Sequence, residues 1–362
     1  MGLRAPIIKQ GDNIVDIVVN TVLNEMKISH PNELLYDIED KDVIGITESV
    51  VARALGMYVK IDDIVQFMEE HGFSKNLVLI RPIMSRNRFA IILKGLARFA
   101  NSIIMVVDEH FDDQGNPTFG VNQFTGIDIQ KYYSEICANE GCTIKFRTHI
   151  GDDSVNLKNG YTFIDCRCHP VGSHYAIDLS YIMNQPVFRK NGTRSQFNTK
   201  YGLLGSNKAD EETLKLFPEP TWAQQICEEI QKRIHEVTGK TVEVMVYGDG
   251  CFKDPVGGIW EFADPVVSPA YTKGLEGTPN EIKIKAFADD KYKDFKGENL
   301  NEAIKLEIKS KNNNLVGNMA SQGTTPRRYV DLLGSLMDLT SGSGDKGTPI
   351  VVVKNFFKNY AS

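Results

Sequence analysis

An alternating, β-branched run from Thr241 to Tyr247 halts at Gly248-Asp249-Gly250, and no other stretch constrains the fold as tightly. Alternation with a period of two is the pattern of a strand that lays one face on a core. Two glycines around one carboxylate then let the backbone turn sharply or approach a ligand closely, and the carboxylate can hold a hard cation. Lys253, Asp254, Gly257-Gly258, Trp260, Glu261 and Asp264 come next in one loop-like stretch. A solvated turn is the plain alternative. Glycine and carboxylate packed this densely after a core strand, where α/β enzymes place ligands, favour a site. Upstream, Thr221 reads as the cap of a helix with Ile226, Ile230, Ile234 and Val237 on one stripe, closed by Gly239. Cys227 and His235 fall off that stripe or at its edge, and neither is assigned chemistry.

The same two periodicities organise the rest. Ile14, Val18, Val22 and Met26 sit at helical spacing after Gly11-Asp12. Residues 42–46, DVIGI, read as a buried strand ended by Thr47-Glu48-Ser49, with Arg53 in the apolar stretch beyond. Asp62 reads as the cap of a helix with Ile64, Phe67 and Met68 inward and His71 as a surface residue in its last turn. A strand at Leu77–Ile80, a helix from Arg86 to Phe99 and a strand at Ile103–Val107 come next. The acidic run Asp108–Asp113 fails the calcium-loop pattern and reads as a charged hairpin tip. Residues 150–160 and 184–200 have loop composition, and Arg189, Lys190, Arg194 and Lys200 read as a solvated face. Near the end, Leu300–Ile308 is helical, and Tyr329, Leu332, Leu333, Leu336 and Met337 form a second apolar stripe. The glycine-rich Gly342–Gly347 then opens a strand at Pro349–Val353.

Composition narrows the class. At 362 residues the chain can bury a sizeable core, and 41 basic against 47 acidic side chains argue against nucleic acid as the main partner. No apolar run is long enough to span a membrane, and the N-terminus lacks the apolar core of a signal peptide, so the expectation is a cytoplasmic protein without a membrane partner. Six cysteines in this length do not make a disulfide framework. Cys166, Cys168 and His169 form a cluster without a second matched pair, which is a weak zinc signature.

Few constellations carry chemistry. Gly342–Gly347 matches G-x-G-x-x-G in letters, but it comes after a helix and opens a strand, the reverse of the dinucleotide fingerprint. Its backbone N–H groups can still cradle phosphate, and a plain linker is the alternative. Asp210 in SNKADEE and Asp249 in YGDG are candidate metal ligands, because magnesium needs only one or two carboxylates beside substrate phosphates. Arg53 can neutralise phosphate charge. There is no G-x-S-x-G or H-E-x-x-H. The residues alone lead to a metal- and phosphate-binding α/β enzyme.

Five stretches in order also resemble the coenzyme F-420:gamma-glutamyl ligase family: PIIKQGDNIVDIV, DVIGITESVVARALGMYV, YGLLGSNKADEETLKLFP, VEVMVYGDGCFKDPVGG and SGSGDKGTPIVVV. The resemblance implies a mixed α/β (α+β), two-lobed fold. Residues 1–75 and 196–362 would form the catalytic core, and 76–195 an enlarged insertion or second lobe. It implies a homodimer that uses GTP to phosphorylate an acceptor carboxylate, after which the amine of L-glutamate attacks the acyl phosphate. Magnesium or manganese assists, with potassium as a further ion. Carried over by position, Asp249 and Arg53 are catalytic, and Asp249, Asp210 and Ser343 hold metal. Pro6, Ile7, Ile8, Glu48, Ser49, Arg53, Gly342, Ser343, Gly344 and Gly347 contact nucleotide. The chain departs from the pattern at Gly250, where the family has threonine, and at Arg53, where it has lysine. The spacing from Asn207 to Asp210 is also one residue short. Those departures keep two rivals open: a ligase for a folate-like or peptide-like acceptor, and a non-catalytic protein that retains the fold.

Overall fold

The computed structural model describes residues 1–30, 33–82, 84, 88–107, 110–112, 117–123, 125–149, 160–166, 176–179, 182, 208–216, 218, 220–249, 252, 253, 260, 261, 266–315, 328–342 and 344–362. The fold is mixed α/β, built on two five-stranded sheets with smaller hairpins beside them.

The first sheet runs Gly2–Leu3, Ile350–Val353, Val43–Thr47, Glu243–Asp249 and Val266–Tyr271 from edge to edge. Val43–Thr47 and Glu243–Asp249 are parallel neighbours, and the other pairings are antiparallel. Alternation then sorts the side chains. Ile44, Ile46, Val244, Val246, Ile350 and Val352 face the helices Ile14–Glu25 and Pro220–Thr238. Val43, Met245, Tyr247 and Val351 face the helix Tyr329–Ser341. The sheet is thus the middle of three layers, which explains its near-continuous apolar strands. A Cβ on Gly45 would lie 2.1 Å from the Met337 sulfur, so the bare backbone there admits that helix.

The second sheet is wholly parallel, in the order Ile177–Asp178, Thr162–Asp165, Asn76–Ile80, Ser102–Val106 and Thr143–Arg147. Leu77, Leu79, Ile103 and Met105 pack into a core with the helices Ile61–Glu70, Arg88–Phe99 and Ile129–Asn139. Val78, Ile80, Ile104, Val106 and Phe163 form a separate cluster on the other face. The larger core also takes in Met57, Val59, Leu214 and Leu216 from the three-stranded sheet of Lys208–Asp210, Thr213–Lys215 and Tyr58–Lys60.

Several local readings are corrected. The long helix begins at Pro220, so Thr221 lies in its first turn; proline suits a position whose N–H has no helical acceptor. Val237 is 52 % exposed, whereas Cys227 is fully buried with its thiol pushed up to about 12 by desolvation. Leu336 is 44 % exposed, because its helix meets the sheet through Val330, Leu333 and Met337. The helix Ile61–Glu70 is capped at Lys60, whose N–H donates to the Asp63 carboxylate at 3.0 Å. Asp62 instead pairs with Arg98 at 2.7 Å. His71 is exposed, lies over Phe67 at 4.0 Å between rings, and sets Nδ1 2.8 Å from the Phe67 carbonyl. Phe111 and Pro117 bridge in the antiparallel sense, and the Asp112 carboxylate accepts from Met84 N at 2.8 Å. Cys166 is buried; Cys168, His169, Arg189, Lys190, Arg194 and Lys200 lie outside the described residues. No helix among the described residues is long and apolar enough to cross a membrane.

At the starting end of Glu243–Asp249 the first sheet is locked by a buried carboxylate. Glu243 accepts from Thr272 Oγ1, from Gly274 N at 3.2 Å and from Gln231 Nε2 at 3.4 Å. The Thr272 hydroxyl in turn accepts from Val244 N at 2.9 Å. Replacing Thr272 by valine keeps the shape and strips two bonds from buried partners, one of them charged. Urea unfolding should show a loss of about 1–3 kcal/mol, the ordinary cost of an unsatisfied buried polar group. An unchanged midpoint would mean that Gly274 and Gln231 suffice.

Candidate functional site

Strand direction gathers the motifs at one edge of the first sheet. The parallel strands end there, at Thr47 and at Asp249. Ile350–Val353 and Val266–Tyr271 run the other way, so they begin there, and Gly2–Leu3 finishes there. Main-chain bonds tie the adjoining turns together. Ala5 N donates to Gly347 O at 3.2 Å, Thr47 N to Pro349 O at 3.0 Å and Gly11 N to Ala54 O at 2.9 Å. The segment holding Pro6, Ile7 and Ile8 therefore runs from the glycine-rich turn to the helix Glu48–Leu55. Pro6 and Ile7 are exposed, Ile7 at 84 %, while Ile8 is buried in the core beneath.

The turn itself needs glycine at both ends. Gly342 and Gly347 each have φ of 67°, a left-handed value that side chains disfavour. Between them Gly344–Lys346 forms a single 3₁₀ turn, and Ser343 lies outside the described residues. Thr348 Oγ1 closes the loop on Ser341 O at 2.8 Å, and Lys346 Nζ donates to Thr340 O at 3.0 Å.

The helix Glu48–Leu55 starts directly at the end of its strand and sends its first two side chains to different partners. Glu48 is buried against Gly248: a Cβ there would come within 2.1 Å of Glu48 Cγ. Asp249 comes next as the last residue of its strand, paired with Val266. Ser49 Oγ accepts a hydrogen bond from Lys215 Nζ, which reaches it from the strand Thr213–Lys215. Arg53 stands one turn on from Ser49, on the same helical face, and is exposed. Lys215 is in register with Tyr58, whose hydroxyl burial pushes its pKa up, partly offset by the Arg53 charge. Ser49, Lys215, Tyr58 and Arg53 thus make a polar cluster beside the Glu48–Gly248 contact. Lys215 went unread in the sequence, although it lies in one of the matched stretches, YGLLGSNKADEETLKLFP. Its alternation with the buried Leu214 and Leu216 was the available signal.

Asp210 is placed elsewhere. It pairs with Thr213, two residues or about 7 Å along the strand from Lys215. It is exposed, and its carboxylate accepts from Glu212 N at 2.8 Å within its own hairpin. That tip meets Lys94 and Arg98, which bond Glu212 at 2.5 and 2.9 Å. No contact among the described residues carries Asp210 to the Glu48–Gly248 edge.

The sequence profile of the F420-0:Gamma-glutamyl ligase family matches residues 2–355. The chain belongs to that family. By family, then, this is a γ-glutamyl ligase-like enzyme. No curated protein gives a significant match.

The contact between Glu48 and Gly248 is the part of the site most open to a direct test. Gly248→Ala puts a methyl group where the Glu48 side chain lies, and the carboxylate has to move. Overpacking of this kind costs about 1–3 kcal/mol in stability. Turnover should fall in step if Glu48 serves the site, and adding Glu48→Ala to Gly248→Ala should restore the stability but not the activity. Full activity in Gly248→Ala would remove Glu48 from the site.

Proposed function

We propose that the chain uses GTP and a divalent ion to join the amino group of L-glutamate, or of a similar amino acid, to the carboxylate of a small-molecule acceptor through an acyl phosphate. One observation carries the reading. Four stretches far apart in sequence, around Ala5–Ile8, Thr47–Arg53, Gly248–Asp249 and Gly342–Pro349, meet at one sheet edge, and Lys215 of the fifth reaches the same helix.

In the first step an acceptor carboxylate oxygen attacks the γ-phosphorus of GTP, the bond to the β-phosphate oxygen breaks, and GDP leaves. In the second the amine attacks the acyl carbon, phosphate leaves with the bonding pair, and the amine loses a proton. Little of this needs covalent help from the protein. Positioning and charge compensation supply most of the rate. Lys215, oriented by Ser49, offers its ammonium to phosphate oxygens, and Arg53 adds a second cation on the same face. Backbone N–H groups of the Gly342–Gly347 turn, and those at the start of the helix Glu48–Leu55, suit phosphate as well.

The residues also fit magnesium or manganese. Glu48 lies against Gly248, Asp249 is the next residue, and an ion shared with phosphates needs only one or two carboxylates. Asp249 and Glu48 would hold it, with Ser343 as a third donor from the glycine-rich turn. Asp210, bonded in its own hairpin, fits the role less well. When bound, the ion would neutralise phosphate charge. Lys215 brings a lysine ammonium to the helix that carries Arg53, which favours a working enzyme over a non-catalytic relative.

Thermal melting with GTP or ATP, each with and without magnesium or manganese, tests the reading. GTP at a hundredfold over its dissociation constant should stabilise the protein by ~2.7 kcal/mol, and only with the metal present. Lys215→Met should lower kcat/KM by about 100-fold, or ~2.7 kcal/mol of transition-state stabilisation, while Asp249→Asn abolishes turnover in a folded protein. If no nucleotide moves the melting point under any metal, the chain is a non-catalytic relative. Folate-like and peptide-like acceptors, screened in the same assay, decide the acceptor.

A further inference from the structure

We propose a second ligand site, for a small oxyanion, at the carboxyl edge of the wholly parallel sheet, with Arg81 as its anion-binding group and Asp165 as the residue that orients it. The site is separate from the edge described above and does not depend on the ligase reading.

Sheet order makes the first part of the case. Taken in spatial order, the strands Ile177–Asp178, Thr162–Asp165, Asn76–Ile80, Ser102–Val106 and Thr143–Arg147 are fifth, fourth, first, second and third along the chain. The chain builds outward from Asn76–Ile80 in one direction, then returns to its other side and builds the opposite way. The direction reverses between Asn76–Ile80 and Thr162–Asp165. Ligands of open parallel sheets bind at such switch points.

The residues at that point make the second part. Ile80 and Asp165 are register partners, and Arg81 is the next residue after Ile80. Arg81 Nη2 donates to Asp165 Oδ2 at 2.5 Å, so one ion pair straddles the reversal. The Asp165 side chain is 7 % exposed and that of Arg81 26 %. The carboxylate is therefore buried and the guanidinium partly exposed. Among the described residues the guanidinium has no second partner. A planar fork with N–H groups to spare matches carboxylate or phosphate oxygens, and the buried Asp165 fixes its plane.

Backbone strain is the third part. Arg81 has φ of 52°, one of three non-glycine residues with positive φ among those described. Its N–H donates to Val106 O at 3.0 Å, which holds the main chain in that conformation. Glycine would take the turn without strain. Arginine there is strained, and such strain persists mainly where the side chain is needed. An ion pair that only clamped two strands would not require its arginine to be the residue held in the left-handed conformation.

Calorimetric titration of the full-length protein with inorganic phosphate, and separately with glutarate, tests the site and tells a phosphate ligand from a carboxylate one. Two variants carry the comparison. Arg81→Lys keeps the charge and loses the fork. Arg81→Gln combined with Asp165→Asn removes both charges together and leaves no buried carboxylate unpaired. At least one anion should bind the wild type, about fivefold more weakly to Arg81→Lys and more than tenfold more weakly to the double variant. The melting shift with GTP and magnesium should be the same in all three, which separates this site from the first. Failure of both anions to bind the wild type would overturn the proposal, as would equal affinity in the wild type and Arg81→Lys. If the double variant does not fold, Arg81→Lys alone decides.

Discussion

Everything at the candidate site depends on the parallel pairing of Val43–Thr47 with Glu243–Asp249. Parallel neighbours end on the same side, so this one pairing sets Thr47 beside Tyr247. Past that pair the two chains stay side by side: one enters a helix at Glu48 while the other continues its strand through Gly248 and Asp249. Contact between them is then a matter of side-chain size. Gly248 has no Cβ, and Glu48 fills the space. The antiparallel neighbours add the glycine-rich turn and the N-terminal segment to the same edge without further cost, because their direction is fixed by the pair they flank.

Most elements were legible in the sequence because helix and strand periods are local. The organising strand, the helix before it and Ile350–Val353 emerge from spacing alone. Single residues at the ends were harder. Asp62 reads as the cap in the sequence; the structure places the cap at Lys60, bonds its N–H to Asp63 and turns Asp62 to Arg98. Val237 keeps the helical stripe, yet it lies near the helix end, past the reach of the sheet, and is exposed. Cys227 is drawn inward by contact with Ala270 O at 3.7 Å, on a strand whose position the local pattern does not encode.

Pairing over long distances was not legible at all. Nothing in YGLLGSNKADEETLKLFP says that Lys215 reaches Ser49 while Asp210 stays within its own turn. That depends on where the strand Thr213–Lys215 docks, and it docks on Tyr58–Lys60. The order of the parallel sheet was hidden for a related reason. Strands buried on both faces read as unbroken apolar runs, and such runs carry no mark of which neighbour they take. Residues 76–195 therefore read as an enlarged insertion or second lobe with no strand order, and they supply the strands of the second sheet.

The strand Thr213–Lys215 also shows how the two sheets become one enzyme. Leu214, with Leu216 just beyond, is buried in the core of the parallel sheet, while Lys215 between them points to Ser49 beside the first sheet. Side chains alternate along a strand, so one short segment can pack into one unit and reach into the other. The helix Glu48–Leu55 is split in the same way: Ala52 belongs to the second core, Val51 and Ala54 to the first. A ligand that moved Lys215 would thus push on a strand seated in the second core. A shift of the second core would in turn move the ammonium at the first edge. Communication between the two carboxyl edges, if both bind ligands, would pass through this strand, because it is packed on both sides and has no slack to absorb the change.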